Sequence, residues 1–210
     1  MFTGIIETQG VIKAIDKNPD NFSVEIEIPK DKESFLEDCH IGDSISCGGI
    51  CLTVISFTSN SFRVGISQET LRRTNIEKMW QSIPNAHVNL ERAMGHGNTR
   101  FGGHYVQGHI DTVATIISKE SEGDSINYGF ELRDPEYEQY IVEKGFITID
   151  GASLTVTKIE GPKFWISMIK HTQGILCPRE IGDLVNIEVD LTGKLISKQV
   201  KLYLGKHLNK

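Results

Sequence analysis

Apolar and polar residues alternate in short runs along most of this chain. The runs are cut by Asn, Asp, Gly and Pro at the spacing of an all-β sandwich or small barrel. In the first half they read FSVEIEI, DSISCGG, CLTVISF, SFRVGIS and HVNLERA, and in the second VATIIS, NYGFEL, GFITI, SLTVTKI, FWISMI and LVNIEV. Short helices are expected at KESFLEDC and at DPEYEQYIVEKG, where Asp134 can cap and Pro135 can occupy the first turn. The tail KLISKQVKLYLGKHLNK differs, because Ile196, Val200, Leu204 and Leu208 return at helical spacing with Tyr203 alongside. A helix of about four turns with no partner helix of its own points to self-association; packing back on its own barrel is the alternative.

The runs also repeat. GDSISCGGICLTV from Gly42 lies over KGFITIDGASLTV from Lys144, an offset of 102 residues that sets Cys51 on Ser153. At that offset SFRVGISQET from Ser61 meets KFWISMIKHT from Lys163, with Phe62 on Phe164 and Thr70 on Thr172. With small offset changes VNLE at Val88 meets VNIE at Val185, and TGIIET at Thr3 meets QGHIDT at Gln107. Matches in the same order through both halves indicate duplication of one domain, with the boundary in GHGNTRFGG. The expected organisation is all-β: two tandem barrels of about six strands each, over residues 1–97 and 98–190, then a helix over 191–210. Closure into barrels removes aggregation-prone edges.

Composition narrows the function. A chain of 210 residues with 39% hydrophobic content can bury a sizeable core. No apolar run approaches the ~18 residues of a membrane span, and the start MFTGIIETQG lacks a secretory pattern, so a soluble cytoplasmic protein is expected. The net charge is −6, but the last twenty residues hold five lysines and no acid, which leaves an acidic body and argues against a nucleic-acid surface. The four cysteines form no CxxC pair and are expected as thiols. Cys47 and Cys51, four apart, would share a face of one strand, but zinc sites favour tighter pairs and no metal is expected. There is no Walker loop, no GxGxxG after a strand and no GxSxG elbow.

The repeated phrase carries the candidate chemistry. Strand alternation aims Cys51 with Thr53, and Ser153 with Thr155, to one face, and Leu52 and Leu154 to the other. Residue type alone leaves open whether these small polar groups line a ligand site or pack in a half-polar layer. The recurring Gly49 and Gly151 favour a close approach by backbone or ligand. His104 and His109, five apart, fall on opposite faces of an extended segment and are poor partners for one metal. His109 faces what the N-terminal FTGII faces, and His104 is expected to be structural. Arg72 and Arg73 are expected to be solvated or paired. Lys144 and Asp190 have no charged counterpart in the first copy, a sign that the two sites have specialised.

MFTGIIE, CLTV, SLTV, ETLRRTN, VNLERA, GGHYVQGHIDT and KGFITIDGASLTV together resemble the riboflavin synthase family of the alpha-chain type, and the KHTQ form resembles its fungal branch. The resemblance implies a homotrimer of chains, each with two six-stranded Greek-key barrels and a C-terminal helix that joins its partners. It implies a dismutation in which two molecules of 6,7-dimethyl-8-ribityllumazine exchange a four-carbon unit, giving riboflavin and 5-amino-6-ribitylaminouracil, without metal or organic cofactor. The active site would lie between the N-terminal barrel of one subunit and the C-terminal barrel of its neighbour. Holding two copies of one substrate in reacting geometry lowers the entropic part of the barrier.

Carried over by position, the N-barrel pocket comprises Gly4, Ile5, Ile6, Cys51, Leu52 and Thr53, then Gly65, Ile66, Ser67, Gln68, Glu69 and Thr70, and later Gly108, His109 and Ile110. The C-barrel pocket comprises Lys144, Ser153, Leu154 and Thr155, then Ser167, Met168, Ile169, Lys170, His171 and Thr172. Backbone groups beside Thr53 and Thr155 would pair with the pyrimidine edge. The base and nucleophile candidates are His109, Ser44, Cys51, Ser153 and Asp190, with Phe2 stacking on the ring. The family usually reads Asn-Gly-x-Cys-Leu-Thr-Val, and Gly48 replaces that asparagine here. Lumazine proteins, fluorescent antennae that bind one lumazine or flavin without turnover, resemble the same chain but lose the second site. Ser153, Thr155, Lys144 and Asp190 are all present, which favours the enzyme.

Overall fold

The computed structural model describes residues 1–18, 20–95 and 101–207. Twelve strands form two closed barrels. In the first, β1 (Thr8–Asp16), β2 (Ser23–Glu27), β3 (Ser44–Cys47), β4 (Ile50–Phe57), β5 (Ser61–Gly65) and β6 (His87–Arg92) close in the order β1-β2-β5-β4-β3-β6. In the second, β7 (Thr112–Glu122), β8 (Ser125–Leu132), β9 (Phe146–Ile149), β10 (Ala152–Glu160), β11 (Lys163–Met168) and β12 (Leu184–Val189) close as β7-β8-β11-β10-β9-β12, the same topology. The meander β3-β4-β5 with β2 returning beside β5 is a Greek key, as the family resemblance implies. Even the irregularities recur: bulges at Ile12/Ala14 and Val54/Ser56 have twins at Ile116/Ser118 and Val156/Lys158. Bulges bend a strand enough to close a small barrel.

Alternation fills each barrel. Val24, Ile26, Leu52, Val54, Phe62 and Val64 form the first core; Ile116, Phe130, Ile147, Val156, Phe164 and Ile166 form the second, where Phe130 stacks on Phe164 at 5.0 Å. One difference follows from loop length. The connection after β5 carries a π-helical turn, Ile76–Trp80, whose Ile76, Met79 and Trp80 are buried in the first core. The shorter connection after β11 has no such plug, and a cavity of about 250 Å³ remains, lined by Tyr128, Phe130, Leu154 and Arg179 among others.

The helices depart from expectation in detail. Lys30–Leu36 and Pro135–Tyr140 are 3₁₀ turns rather than α-helices, and Pro135 stands in the first turn. Asp134 caps nothing: its carboxylate instead accepts from the Thr112 hydroxyl at 2.6 Å and from Arg133 at 2.8 Å. Two six-residue helices, α1 (Gln68–Arg73) and α2 (Lys170–Ile175), are too short to leave a periodic trace in the sequence. α3 (Leu191–His207) is the expected tail helix. Leu208 and the boundary after residue 97 lie outside the described residues. No described helix is long and apolar enough to cross a membrane.

The barrels meet at their repeated turns. Gly48 and Gly49 (φ +57° and +82°) join β3 to β4, and Asp150 and Gly151 (φ +44° and +89°) join β9 to β10. Positive φ at both residues is the mark of a tight hairpin turn. This turn also separates Cys47 from Cys51: they lie on adjacent strands, Cys47 buried and Cys51 half-buried, not on one face of one strand. The two turns pack back to back, so a Cβ on Gly49 would lie 2.6 Å from the Gly151 nitrogen. Twin asparagines lock them. Asn186 donates to the Gly48 carbonyl (2.8 Å) and accepts from the Asn75 amide (2.8 Å); Asn89 donates to the Asp150 carbonyl (3.0 Å) and accepts from the Cys177 amide (2.8 Å). The pattern is a local two-fold. At Gly48's counterpart, Asp150 adds a buried pair with Arg179 at 2.9 Å.

Gly49→Ala is expected to cost roughly 3–5 kcal/mol in urea unfolding, from overlap added to the left-handed backbone. Gly123→Ala, also at positive φ but facing open space, is expected to cost about 1–2 kcal/mol.

Candidate functional site

In each barrel one strand edge is left open. β4 pairs with β3 from Thr53 to Ile50, but with β5 only from Val54↔Val64 outward. Cys51, Leu52 and Thr53 therefore have a strand on one side only. β10 does the same: Ala152 to Thr155 pair with β9, and the ladder to β11 begins at Val156↔Ile166. The bulges sit where the strands part. Beyond Gly65 the chain turns through Ile66 and Ser67 into α1, and beyond Met168 through Ile169 into α2. Each gap is a slot walled by backbone amides and carbonyls on one side and the start of a short helix on the other, a shape that suits a flat heterocycle with donors and acceptors along one edge.

A segment from the other barrel closes each slot. Gly108, ahead of the second barrel, accepts at its carbonyl from the Cys51 amide (2.8 Å); Gly4, ahead of the first, accepts from the Ser153 amide (2.8 Å). Both glycines have positive φ, and a Cβ on either would lie 2.6 Å from the Cβ of Cys51 or Ser153. Ile110 packs against the first core, and Ile6 packs with Ala152 and Leu176 of the second barrel. The segments cross where Phe2 and Val106 pair through amide-to-carbonyl bonds of 2.8 and 3.1 Å. This corrects one sequence assignment: Gly4 and Ile6 lie against the second barrel's slot, not the first, while Ile5 lines a cleft shared with Ser44 of the first. Gly108, His109 and Ile110 lie against the first, as assigned.

Side chains distinguish the slots. In the first, Cys51 and Thr53 point outward, and Ser44, opposite Thr53 on β3, opens to a cleft of about 770 Å³ shared with Thr3, Ile5 and Arg92. In the second, Ser153 and Thr155 point outward and Phe146 replaces Ser44. His104 joins this slot: its Nδ1 lies 2.7 Å from the Ser153 hydroxyl, its Nε2 lies 3.1 Å from the Thr148 hydroxyl, and its ring stacks on Phe146 at 5.0 Å. Burial holds its pKa below the ordinary value, against the opposing field of Asp190, so the imidazole is neutral. His104 was read from the sequence as structural. Only its glycine neighbours hinted otherwise, since its partners Thr148 and Ser153 lie far along the chain. His109 and Ile5 are exposed at equivalent positions, each one residue past the glycine that meets Cys51 or Ser153.

The remaining candidates fall at the rims. Ser67 caps α1, accepting from the Thr70 amide at 3.1 Å, and Glu69 pairs with Arg72 and Arg73, which hold its carboxyl below the usual range. Gln68 is exposed beside them. In the second copy α2 has no side-chain cap; Gln173 instead donates to the Met168 carbonyl at 2.8 Å, Ser167, Ile169, Lys170 and His171 are exposed and Thr172 is half-buried. Lys144 is exposed at φ +63°, and its amide donates to the Val156 carbonyl beside the second slot. Asp190 accepts from the Thr192 amide at the start of α3. Phe2 does not fit its assignment: it is fully buried and paired to Val106, so its ring has no face for a ligand.

A family model described as Lumazine binding domain matches residues 3–93 and again 107–190. The chain is similar to the riboflavin synthase of Saccharomyces cerevisiae, at 53% identity over 100% of this chain and 90% of that protein. It is similar to those of Schizosaccharomyces pombe (46%, covering 100% and 99%) and Bacillus subtilis (42%, covering 92% and 87%). Among solved structures it resembles LumP complexed with riboflavin, at a TM-score of 0.78 and 26% identity over 90% of this chain and 100% of that one. It also resembles LumP complexed with 6,7-dimethyl-8-(1'-D-ribityl) lumazine, at 0.77 and 26% over 90% and 99%.

Because the depressed His104 pKa favours the neutral ring in the folded state, its stability contribution is complete above about pH 6.5 and is lost as pH falls through the folded value. The His104 imidazole resonances should titrate below those of a free histidine, and His104→Gln should flatten the stability profile as pH falls below about 6.5. A His104 titrating at or above the ordinary value would contradict the buried geometry.

Proposed function

The chain belongs to the riboflavin synthase family of transferases, and from that premise we propose that it dismutates two molecules of 6,7-dimethyl-8-ribityllumazine. One gives up a four-carbon unit to the other, yielding riboflavin and 5-amino-6-ribitylaminouracil. The observation that carries the reading is the pair of open edges at Cys51–Thr53 and Ser153–Thr155: the same slot built twice, with unlike groups around each. A reaction between two copies of one molecule in unlike roles calls for that arrangement, and orienting both copies removes a bimolecular encounter worth several kcal/mol, about 7–11 in the best cases.

The polar groups suit the two tasks. The backbone of each slot takes the pyrimidine edge. In the second, the neutral His104 that donates from Nε2 to Thr148 accepts the Ser153 hydroxyl proton at Nδ1, which prepares Ser153 to add to an electrophilic ring carbon. In the first, His109, on the segment that covers Cys51, is the base for the already acidic C7 methyl, with Ser44 and Cys51 beside it. Lys144 reaches the rim of the second slot. Asp190 acts through its field on His104.

The working assembly is a cytoplasmic homotrimer, each active site formed by the N-terminal barrel (residues 1–97) of one chain and the C-terminal barrel (98–190) of the next, joined by the helix over 191–210. α3 supports this. Its first turn is held to the body by Lys194, paired with Asp111 at 2.9 Å, but Leu195, Ile196, Val200 and Leu204 beyond it are 43–59% exposed. An apolar stripe of that length on a projecting helix is expected to be covered by other copies.

Incubation with the ribityllumazine should produce riboflavin absorbance; tight binding without turnover would instead assign a non-catalytic, antenna-type role. Ser153→Ala should lower kcat roughly 10²-fold with the circular dichroism spectrum unchanged, whereas an undiminished kcat would remove this hydroxyl from the chemistry. Leu195→Asp with Val200→Asp should convert a trimer to monomers in sedimentation and abolish most turnover; an unchanged sedimentation coefficient would rule α3 out as the joining element.

A further inference from the structure

Two buried acids take no part in the chemistry above. Glu91 on β6 is 4% exposed and Glu188 on β12 is 1% exposed, at equivalent places in VNLE and VNIE. Neither forms an ion pair at contact distance among the described residues. Glu91 accepts from the Thr3 amide (2.7 Å), the Thr3 hydroxyl (2.7 Å) and the Gly4 amide (3.0 Å). Glu188 accepts from three consecutive amides, Gln107 (2.7 Å), Gly108 (2.8 Å) and His109 (2.9 Å). Burial pushes both carboxyls above the ordinary range while these amides pull them back. A buried carboxylate is costly, and one satisfied mainly by backbone amides persists only where those amides are fixed in place.

What it fixes lies on the opposite barrel. Glu188 belongs to the second barrel, but the segment it grips rests through Gly108 on Cys51 of the first. Glu91 belongs to the first, but its segment rests through Gly4 on Ser153 of the second. We propose that Glu91 and Glu188 are crossed positioning residues, each anchored in one barrel and setting the wall of the slot in the other. Glu188 thereby sets Gly108 against the Cys51 slot and fixes the backbone that carries His109, and Glu91 sets Gly4 against the Ser153 slot. The proposal rests on the reading of these slots as lumazine sites, but the contact itself is testable without any ligand.

Glutamine at either position keeps the shape but turns an NH₂ donor toward an amide donor, so at least one of the three bonds is lost. Amide hydrogen exchange in the full-length protein reads the result. Glu188→Gln should speed exchange of the Cys51 amide about tenfold, the loss of roughly one net hydrogen bond, with the Ser153 amide unchanged. Glu91→Gln should do the reverse. Iodoacetamide labelling resolved by peptide mass should show Cys51 alkylated faster in Glu188→Gln only, with Cys39 as the internal reference. Gly108→Ala, whose Cβ would strike Cys51 while leaving Glu188 intact, should reproduce the Cys51 effect and keeps the test open should Glu188→Gln fold poorly. Equal acceleration at Cys51 and Ser153 in both glutamine variants, or none at either, would overturn the crossed assignment. Wild-type turnover of the lumazine is measured separately. If it is present, the variants should raise KM and lower kcat at temperatures well below their melting points, and unchanged kinetics in a variant with altered exchange would remove the positioning role.

Discussion

The contact of two glycine turns governs the molecule. Gly49 against Gly151 leaves no room for a side chain on either, and the asparagines at the same step of β6 and β12 tie each turn to the other barrel. Because this join is a local two-fold, the strands that leave it, β4 and β10, start from one point and run with the same register against their neighbours. The segments that precede each barrel then meet the other barrel first, and cross at Phe2 and Val106. A slot thus needs both barrels: one supplies the open strand edge, the other the covering glycine.

The scaffold is symmetric, but the groups on it are not. Ser44 faces Thr53 where Phe146 faces Thr155; Cys51 stands where Ser153 stands; His109 follows one covering glycine and Ile5 the other. Among the described residues, no imidazole meets Cys51 as His104 meets Ser153. The inner packing has diverged too, since Trp80 fills the first barrel where a cavity opens behind Leu154 in the second. Duplication supplied two equal frames, and substitution set unlike groups on their outward faces while keeping the inward alternation that closes each barrel.

Much of this was legible in the chain. Alternation marked eleven of the strands, and the repeat fixed their correspondence, because inward positions such as Phe62 and Phe164 are constrained by packing in both copies. The first strand, Thr8–Asp16, was missed in an N-terminal stretch broken by Gly10. α1 and α2 are six residues long, too few for a period to show. The slots were found through CLTV and SLTV, but their walls were misassigned for Gly4 and Ile6. Sequence order associates a segment with the barrel it precedes, and nothing local records a crossing. The same limit hid Glu91 and Glu188, visible as matched letters but meaningful only once their partners at residues 3–4 and 107–109 are seen. His104 was passed over because its partners come from β9 and β10, more than forty residues on.

The central claim is that one chain carries two related ligand slots, each completed by the opposite barrel. Its most direct measurement is the binding stoichiometry of a non-reacting lumazine analogue by calorimetry on the intact protein. The account predicts two molecules per chain in two classes of affinity, set by the unlike groups around Cys51 and Ser153. A single molecule per chain at saturation would contradict it.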